Sequence, residues 1–431
     1  MRKIFTLGIS CIFFTSPLFS QKAEKKIAAA AKEVLPQVIE WRRHLHQYPE
    51  LSNREEKTAA YILEQLQPLG LEIQYPVAHH GIVAVLKGGK PGPVIALRAD
   101  IDALPIKEEV DIPFKSIQTT QFNGQTVGIM HACGHDAHTA MLLGAAKILS
   151  GMRKDIPGTV KFIFQPAEEG VPAGEKGGAS LMIEEGALKQ PDVDVIYGAH
   201  MSSGLPVGTI GYKPGATLAS SANFKIIVHG KQAHGARPWQ GADPIVIAAQ
   251  IIVQLQQIVS RETPLTQAPA IISVGKINAG VRHNIVPEEA VLEGTIRLLE
   301  RDFQDNTFRR IEEIAKGVAR SMGGEASVNI IPNNYVTHND EKLTAHAVRA
   351  LEKAVGKDNL QLTSWGTAAE DFSHFARQVP GFYFTVGGKA TDLPAAQAPP
   401  HHSPIFYIDD SRLDVGVKAF VYLVFNGIPQ P

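Results

Sequence analysis

The stretch "MHACGHDAHTA", Met130 to Ala140, sets Cys133 between His131 and His135 and follows them with Asp136 and His138. Thiolate, imidazole and carboxylate together are donors for zinc or a similar divalent metal. On an extended loop a Cys-x-His pair directs both side chains to one side, where they could share an ion. Alone, the pair reads more simply as a buried cysteine beside surface histidines. The rest of the chain shifts that balance. Asp100 and Asp102 follow "VIAL", Glu168 and Glu169 follow "VKFIFQPA", His200 follows "VDVIYGA", and His401 and His402 stand in "PPHHSPIF". In open α/β sheets the ends of apolar strands are where crevices and ligands lie.

Two adjacent carboxylates repel unless a cation intervenes. One division of labour gives Glu169 to a metal and leaves Glu168 as general base on an activated water. Asp100 and Asp102 could then supply one ligand and one group that orients a histidine. A serine nucleophile would need a G-x-S-x-G turn, which the chain lacks, and a metal-held Cys133 is not free to attack a carbonyl.

The elements that must position these groups follow from periodicity. Helices are predicted over 22–46 and 55–69, and strands then alternate with helices, one of them over 138–149. That pattern predicts an α/β domain with a largely parallel sheet flanked by helices, built from 21–216 and 334–431. Between them, 217–333 reads in the β-α-β-β-α-β order of an inserted ferredoxin-like α+β unit. Its first helix has Asp243 as N-cap and Pro244 at its first position. Ile245, Ala248, Ile252, Leu255 and Val259 are its expected inward face.

The chain has 431 residues, a formal charge of -1 and 44% hydrophobic residues, enough for two domains and without the basic excess of a nucleic-acid partner. At the N-terminus Arg2 and Lys3 precede an apolar run from Ile4 to Phe19. This predicts a signal peptide over 1–20, export to the periplasm or the exterior, and no membrane attachment after cleavage. Cleavage would also remove Cys11 and leave Cys133 without an intramolecular disulfide partner.

Over nearly its whole mature length the chain resembles the zinc-peptidase family of aminoacylases and glutamate carboxypeptidases. The branch it resembles most holds the hippurate hydrolases, N-acyl-amino-acid amidohydrolases and auxin-conjugate amidohydrolases. The stretches that carry the resemblance are "LRADIDALPI", "MHACGHDAHTAMLLGAA", "IFQPAEEG", "GAHMSSGLPVG", "HNIVPE", "AEDFS" and "HHSPIF". It implies a metallopeptidase-like catalytic domain with two divalent metal ions, zinc, manganese or cobalt. Cys133, His135, Glu169, His200 and His402 match the metal ligands, Glu168 the general base, and Asp102 the aspartate that supports the centre. His234 and Asn284 match residues that reach the substrate, with His234 polarising the scissile carbonyl, across a homodimer formed by the inserted dimerisation domain. The implied reaction cleaves the amide of an N-acyl amino acid. A dipeptidase or carboxypeptidase with the same centre, or a metal-bound binding protein without catalysis, are the alternatives. Trp239 in "HGARPW" stands where relatives often carry a histidine, and an indole there would favour an apolar or aromatic acyl group.

Overall fold

The computed structural model describes residues 17–428. Most of the expected signal peptide, with Cys11, lies outside the described residues, and positions 17–20 belong to the first helix. That helix, α1 (Pro17–Gln47), is followed by α2 (Glu56–Leu66) and the strands β1 (Glu72–Val77), β2 (Gly81–Lys87) and β3 (Lys90–Asp100). Then come α3 (His135–Gly151), β4 (Pro157–Gln165), α4 (Gly178–Glu184), β5 (Val195–Pro206) and β6 (Ile210–Tyr212). The inserted unit contributes β7 (Ser220–His229), α5 (Pro244–Gln257), β8 (Ala270–Ala279), β9 (Glu289–Leu298), α6 (Phe303–Ser321) and β10 (Glu325–Asn334). The chain returns with α7 (Glu341–Val355), β11 (Leu360–Leu362), α8 (Phe372–Gln378), β12 (Gly381–Lys389) and α9 (Asp414–Asn426).

The larger sheet has the order β1-β2-β4-β3-β5-β12-β6-β11. Its centre, β4-β3-β5-β12, is parallel, while β1-β2, β2-β4 and β12-β6 pair antiparallel, so the sheet is mixed. Strand periodicity sorts its side chains. Ile95, Leu97 and Ala99 face one core with α1, α2, α3, α7 and α9, whereas Ala96 faces a second core with α4 and α8. Arg98 and Asp100 share the parity of Ala96, so two charged groups enter a layer otherwise built from Ile163, Ile196, Phe372 and Phe375.

Almost every residue of α3 from His135 to Leu149 is buried. A helix apolar on all sides needs cover on all sides, and α1 and α9 supply it opposite the sheet. At the crossing a Cβ on Gly144 would stand 2.8 Å from Val38 and 2.9 Å from Val417, so only glycine allows this approach. The helix starts three residues earlier than its periodicity suggests. Gly134, at φ 97, turns the chain directly into it, so Cys133 and His135 flank a left-handed turn rather than lying on an extended loop.

The inserted sheet has the order β8-β9-β7-β10, antiparallel throughout, with α5 and α6 packed on one face. Asp243 caps α5, accepting from the amides of Ile245 at 2.9 Å and Val246 at 3.4 Å. The buried residues of α5 are Pro244, Ile247, Ala248, Ile251 and Leu255, and Ile252 and Val259 pack partly buried against the same core, so of the expected inward face only Ile245 points elsewhere. Ile245 is exposed, with Val246 and Val253. A helix apolar on most sides gives periodicity little to choose between. Replacing Asp243 with Ala should cost about 1 kcal/mol by removing the cap, read as a lowered unfolding midpoint in denaturant.

Candidate metal centre

The parallel strands bring four of the sequence clusters to one end of the sheet. β3 ends at Asp100, β4 leads through Gln165 into Pro166-Ala167-Glu168-Glu169, and His200 lies on β5. The turn before α3 supplies Cys133 and His135. A late loop supplies His401 and His402, with the His402 amide donating to the Ala132 carbonyl at 2.9 Å.

The Cys133 sulfur lies 3.3 Å from His200 Nε2, 3.3 Å from His402 Nε2 and 3.8 Å from His401 Nδ1. His402 Nε2 is also 3.3 Å from Glu169 Oε1. His135 Nε2 stands 3.9 Å from Glu169 Oε1 and 3.9 Å from Glu168 Oε2. All five expected ligands therefore meet in one place, and Glu169 belongs both to the group with Cys133 and His402 and to the group with His135 and Glu168.

The tautomers agree with ligation. His135 Nδ1 faces two acceptors, the Asp102 carbonyl at 2.9 Å and Asp102 Oδ1 at 3.2 Å, so the proton sits there and Nε2 presents its lone pair. His200 Nδ1 donates to the Met201 carbonyl at 2.6 Å, which leaves its Nε2 free toward the sulfur. His138 differs. Its Nδ1 bonds Asp100 at 2.5 Å and its Nε2 accepts the Met201 amide at 2.6 Å, so both nitrogens are occupied.

The residues fit a divalent cation. His135 Nε2 and Glu169 Oε1 are buried without a hydrogen-bond partner among the described residues, an expensive arrangement unless something else binds them. At 3.9 Å they are too far apart to bond each other, but a shared ion at about 2.0–2.2 Å from each would span the gap. Electrostatics points the same way. Burial, then the charges of Glu169 and Glu168, hold the Cys133 thiol well above its usual value. Burial, then Glu370 and Glu169, do the same to Glu168. Burial opposes a charge on His135, yet Asp100 and Asp102 outweigh it and push its pKa up to about 10. Negative charge thus accumulates where protein cations are too few, and bound metal would invert each of these preferences.

Beneath the centre lies a cluster of which the sequence pointed only to Asp100. Arg98, fully buried, contacts Asp100 Oδ2 at 2.6 Å, Glu370 Oε1 at 2.9 Å, Asp371 Oδ1 at 2.9 Å and Gln165 Oε1 at 2.8 Å. Tyr383 donates to Glu370 Oε2 at 2.6 Å. A basic residue two places before Asp100 in an apolar strand was the available signal, because period-two geometry puts both on one face. Behind α3, Arg42 meets Asp136 at 2.8 Å, and His46 bridges Asp136 at 2.9 Å and Glu108 at 3.1 Å, all buried. No local pattern joins residues so far apart in sequence.

A cleft of about 1010 Å³ opens over Cys133, Glu168, Glu169 and His200 and is walled on its far side by Asn223, Arg297 and Asn334 of the inserted domain. His234 and Asn284 lie outside it. They stand on exposed paired segments where the Gly235 amide bonds the Asn284 carbonyl at 2.8 Å. Trp239, nearby, is 76% exposed. The structure thus gathers the metal-binding set and Glu168 in one chain, and leaves His234 and Asn284 apart from them.

Residues 96–426 match the model of peptidase family M20/M25/M40. The chain belongs to this family. It is 43% identical over 301 residues to an N-acyl-L-amino acid amidohydrolase of Geobacillus stearothermophilus, covering 70% of this chain and 77% of that one. It is 36% identical over 401 residues to thermostable carboxypeptidase 1 of Saccharolobus solfataricus, covering 93% and 97%. A solved dinuclear metal-binding peptidase of the M20 family, the Bacillus subtilis YXEP protein, superposes with a TM-score of 0.76 at 34% identity, covering 91% and 98%. This M20 chain is accordingly a hydrolase of amide or peptide bonds. Two predictions follow from its centre. Replacing Arg98 with Met should destabilise the protein by about 3–5 kcal/mol, because Asp100, Glu370 and Asp371 lose a buried countercharge; equilibrium unfolding of the metal-free protein measures this. Thiol reagents should label Cys133 more slowly in metal-loaded protein than after chelation, as mass spectrometry of the modified chain would show.

Proposed function

We propose that the chain is an amidohydrolase that cleaves the bond between an acyl group and an amino acid. The observation that carries this reading is the divergence of Glu168 and Glu169. Each carboxylate has an oxygen 3.9 Å from His135 Nε2, but Glu169 Oε1 also reaches His402 Nε2 at 3.3 Å, while Glu168 Oε1 takes the Asp371 amide at 3.4 Å. Two divalent cations, when bound, would polarise the scissile carbonyl and acidify a water. Glu168 takes the proton of the attacking water on its carboxylate and delivers it to the leaving nitrogen. Its raised proton affinity suits the second half of that task.

The cleft also supports an amino-acid product with a free carboxylate. Arg297 lines it, and burial lowers the pKa of its guanidinium. Its guanidinium donates to the Ile296 carbonyl at 3.5 Å. A substrate carboxylate would complete it with paired hydrogen bonds. C-terminal peptide substrates present the same carboxylate, and the carboxypeptidase relative keeps that reading as the alternative. Hippurate-like compounds assayed beside dipeptides separate the two.

On this reading His234 and Asn284 reach the cleft of a second copy of the chain, and the exposed Ile245, Val246 and Val253 would give the inserted domain an apolar surface for such a homodimer. The signal-like N-terminus supports export of the enzyme. Glu168→Gln should reduce kcat by about a thousandfold while metal content by elemental analysis stays at the wild-type level. Chelation should abolish hydrolysis, and added zinc, manganese or cobalt should restore it.

A further inference from the structure

We propose that Glu55 is a positioning residue of this centre: its carboxyl group anchors the Ala167 amide and so fixes the directions in which Glu168 and Glu169 leave the turn after β4.

Ala167 occupies the left-handed region, at φ 54, a conformation a residue with a Cβ adopts at a cost and keeps only when its surroundings hold it. Two amides of this turn have side-chain acceptors. The Glu169 amide donates to Asp102 Oδ2 at 3.0 Å, and the Ala167 amide donates to Glu55 Oε1 at 2.9 Å. Both acceptors trace to the loop between α1 and α2, because Ser52 in that loop donates to Asp102 Oδ2 at 2.7 Å. The same loop reaches the segment that follows the turn. Asn53 Nδ2 bonds Glu175 and the Lys176 carbonyl, each at 3.0 Å. Residues 52–55 thus grip the glutamate pair from below and on both flanks, without entering the cleft.

Glu55 stands directly before α2, where a side chain usually caps the helix, yet its carboxyl makes no capping bond and turns to Ala167 instead. It is completely buried. Burial, and next the charge of Asp102, push its carboxyl up to about 8, so near neutrality it is largely the uncharged acid. An uncharged acceptor holds the turn without adding a further negative charge beside Glu168, Glu169 and Asp102.

The experiment compares Glu55→Gln, an uncharged acceptor of equal reach, with Glu55→Met, which keeps the volume and loses the acceptor. Both are made in the full-length protein. Removing a group that orients a ligating residue typically costs 10–100-fold in activity or metal affinity. Glu55→Gln should keep kcat and Co(II) affinity within about threefold of wild type. Glu55→Met should lose about 30-fold in kcat with KM little changed, and about tenfold in Co(II) affinity by titration of its visible absorption. A Met variant that behaves as wild type, a Gln variant as damaged as Met, or a loss confined to KM overturns the proposal. If circular dichroism shows that Glu55→Met does not fold, Glu55→Asp, whose carboxyl stops one bond short of Ala167, should show the same losses, and wild-type behaviour there overturns the proposal equally. The kcat comparison rests on the amide-hydrolysis reading. A wild type that binds Co(II) but cleaves neither N-acyl amino acids nor peptides refutes that reading, and the Co(II) affinities then decide the role of Glu55 alone.

Discussion

A guanidinium with no exposure to water sits beneath the centre, and the rest of the site depends on its charge. Burying a cation is costly unless it is paired and hydrogen-bonded. Arg98 meets that condition through Asp100 on its own strand, Gln165 at the end of the neighbouring strand and the Glu370-Asp371 pair at the start of α8. Each partner passes the constraint outward. Asp100 orients His138, whose ring holds the amide that follows His200. Asp371 accepts the Ala179 amide in the first turn of α4 and offers its own amide to Glu168. One buried charge thereby sets strand ends, a helix terminus and the Glu168 carboxylate in register.

The parts of the structure visible in the sequence are those whose signal is local. The β3, β4 and β5 runs, the cap at Asp243 and the β-α-β-β-α-β order each rest on residues within a few positions of one another. Glu168, Glu169 and His200 were legible because their chemical types are unusual at strand ends, Cys133 and His135 because of their spacing, and His402 through the family resemblance. What stayed hidden is pairing at a distance. Glu55 looks like one of several glutamates opening a helix, and only the fold brings it to Ala167. Arg98 sits in an apolar strand, and two of its partners, Glu370 and Asp371, come from the start of α8, some 270 residues later. On α5 the period holds at Ala248, Ile252, Leu255 and Val259 and fails only at Ile245, because apolar residues cover more than one face of that helix.

The inserted domain has two relations to the cleft. Its sheet contributes Asn223, Arg297 and Asn334 as a wall, which makes it part of the binding surface in the same chain. Its outer segment carries His234, Asn284 and the exposed Trp239 away from that wall. Within one chain the cleft wall and that outer segment are thus separate surfaces of the same domain.

The strand order has a consequence for how the protein is made. β12, among the last elements in the chain, lies between β5 and β6 in the middle of the larger sheet, with Thr385 opposite His200. During synthesis β5 therefore lacks a neighbour on one side until nearly the whole polypeptide has emerged, and the loop with His402 arrives later still. The inserted unit, contiguous in sequence, is free to fold ahead of it. Assembly of the metal centre is then a late event with long loops to close, the sort of topology that folds slowly and leaves an apolar strand edge waiting.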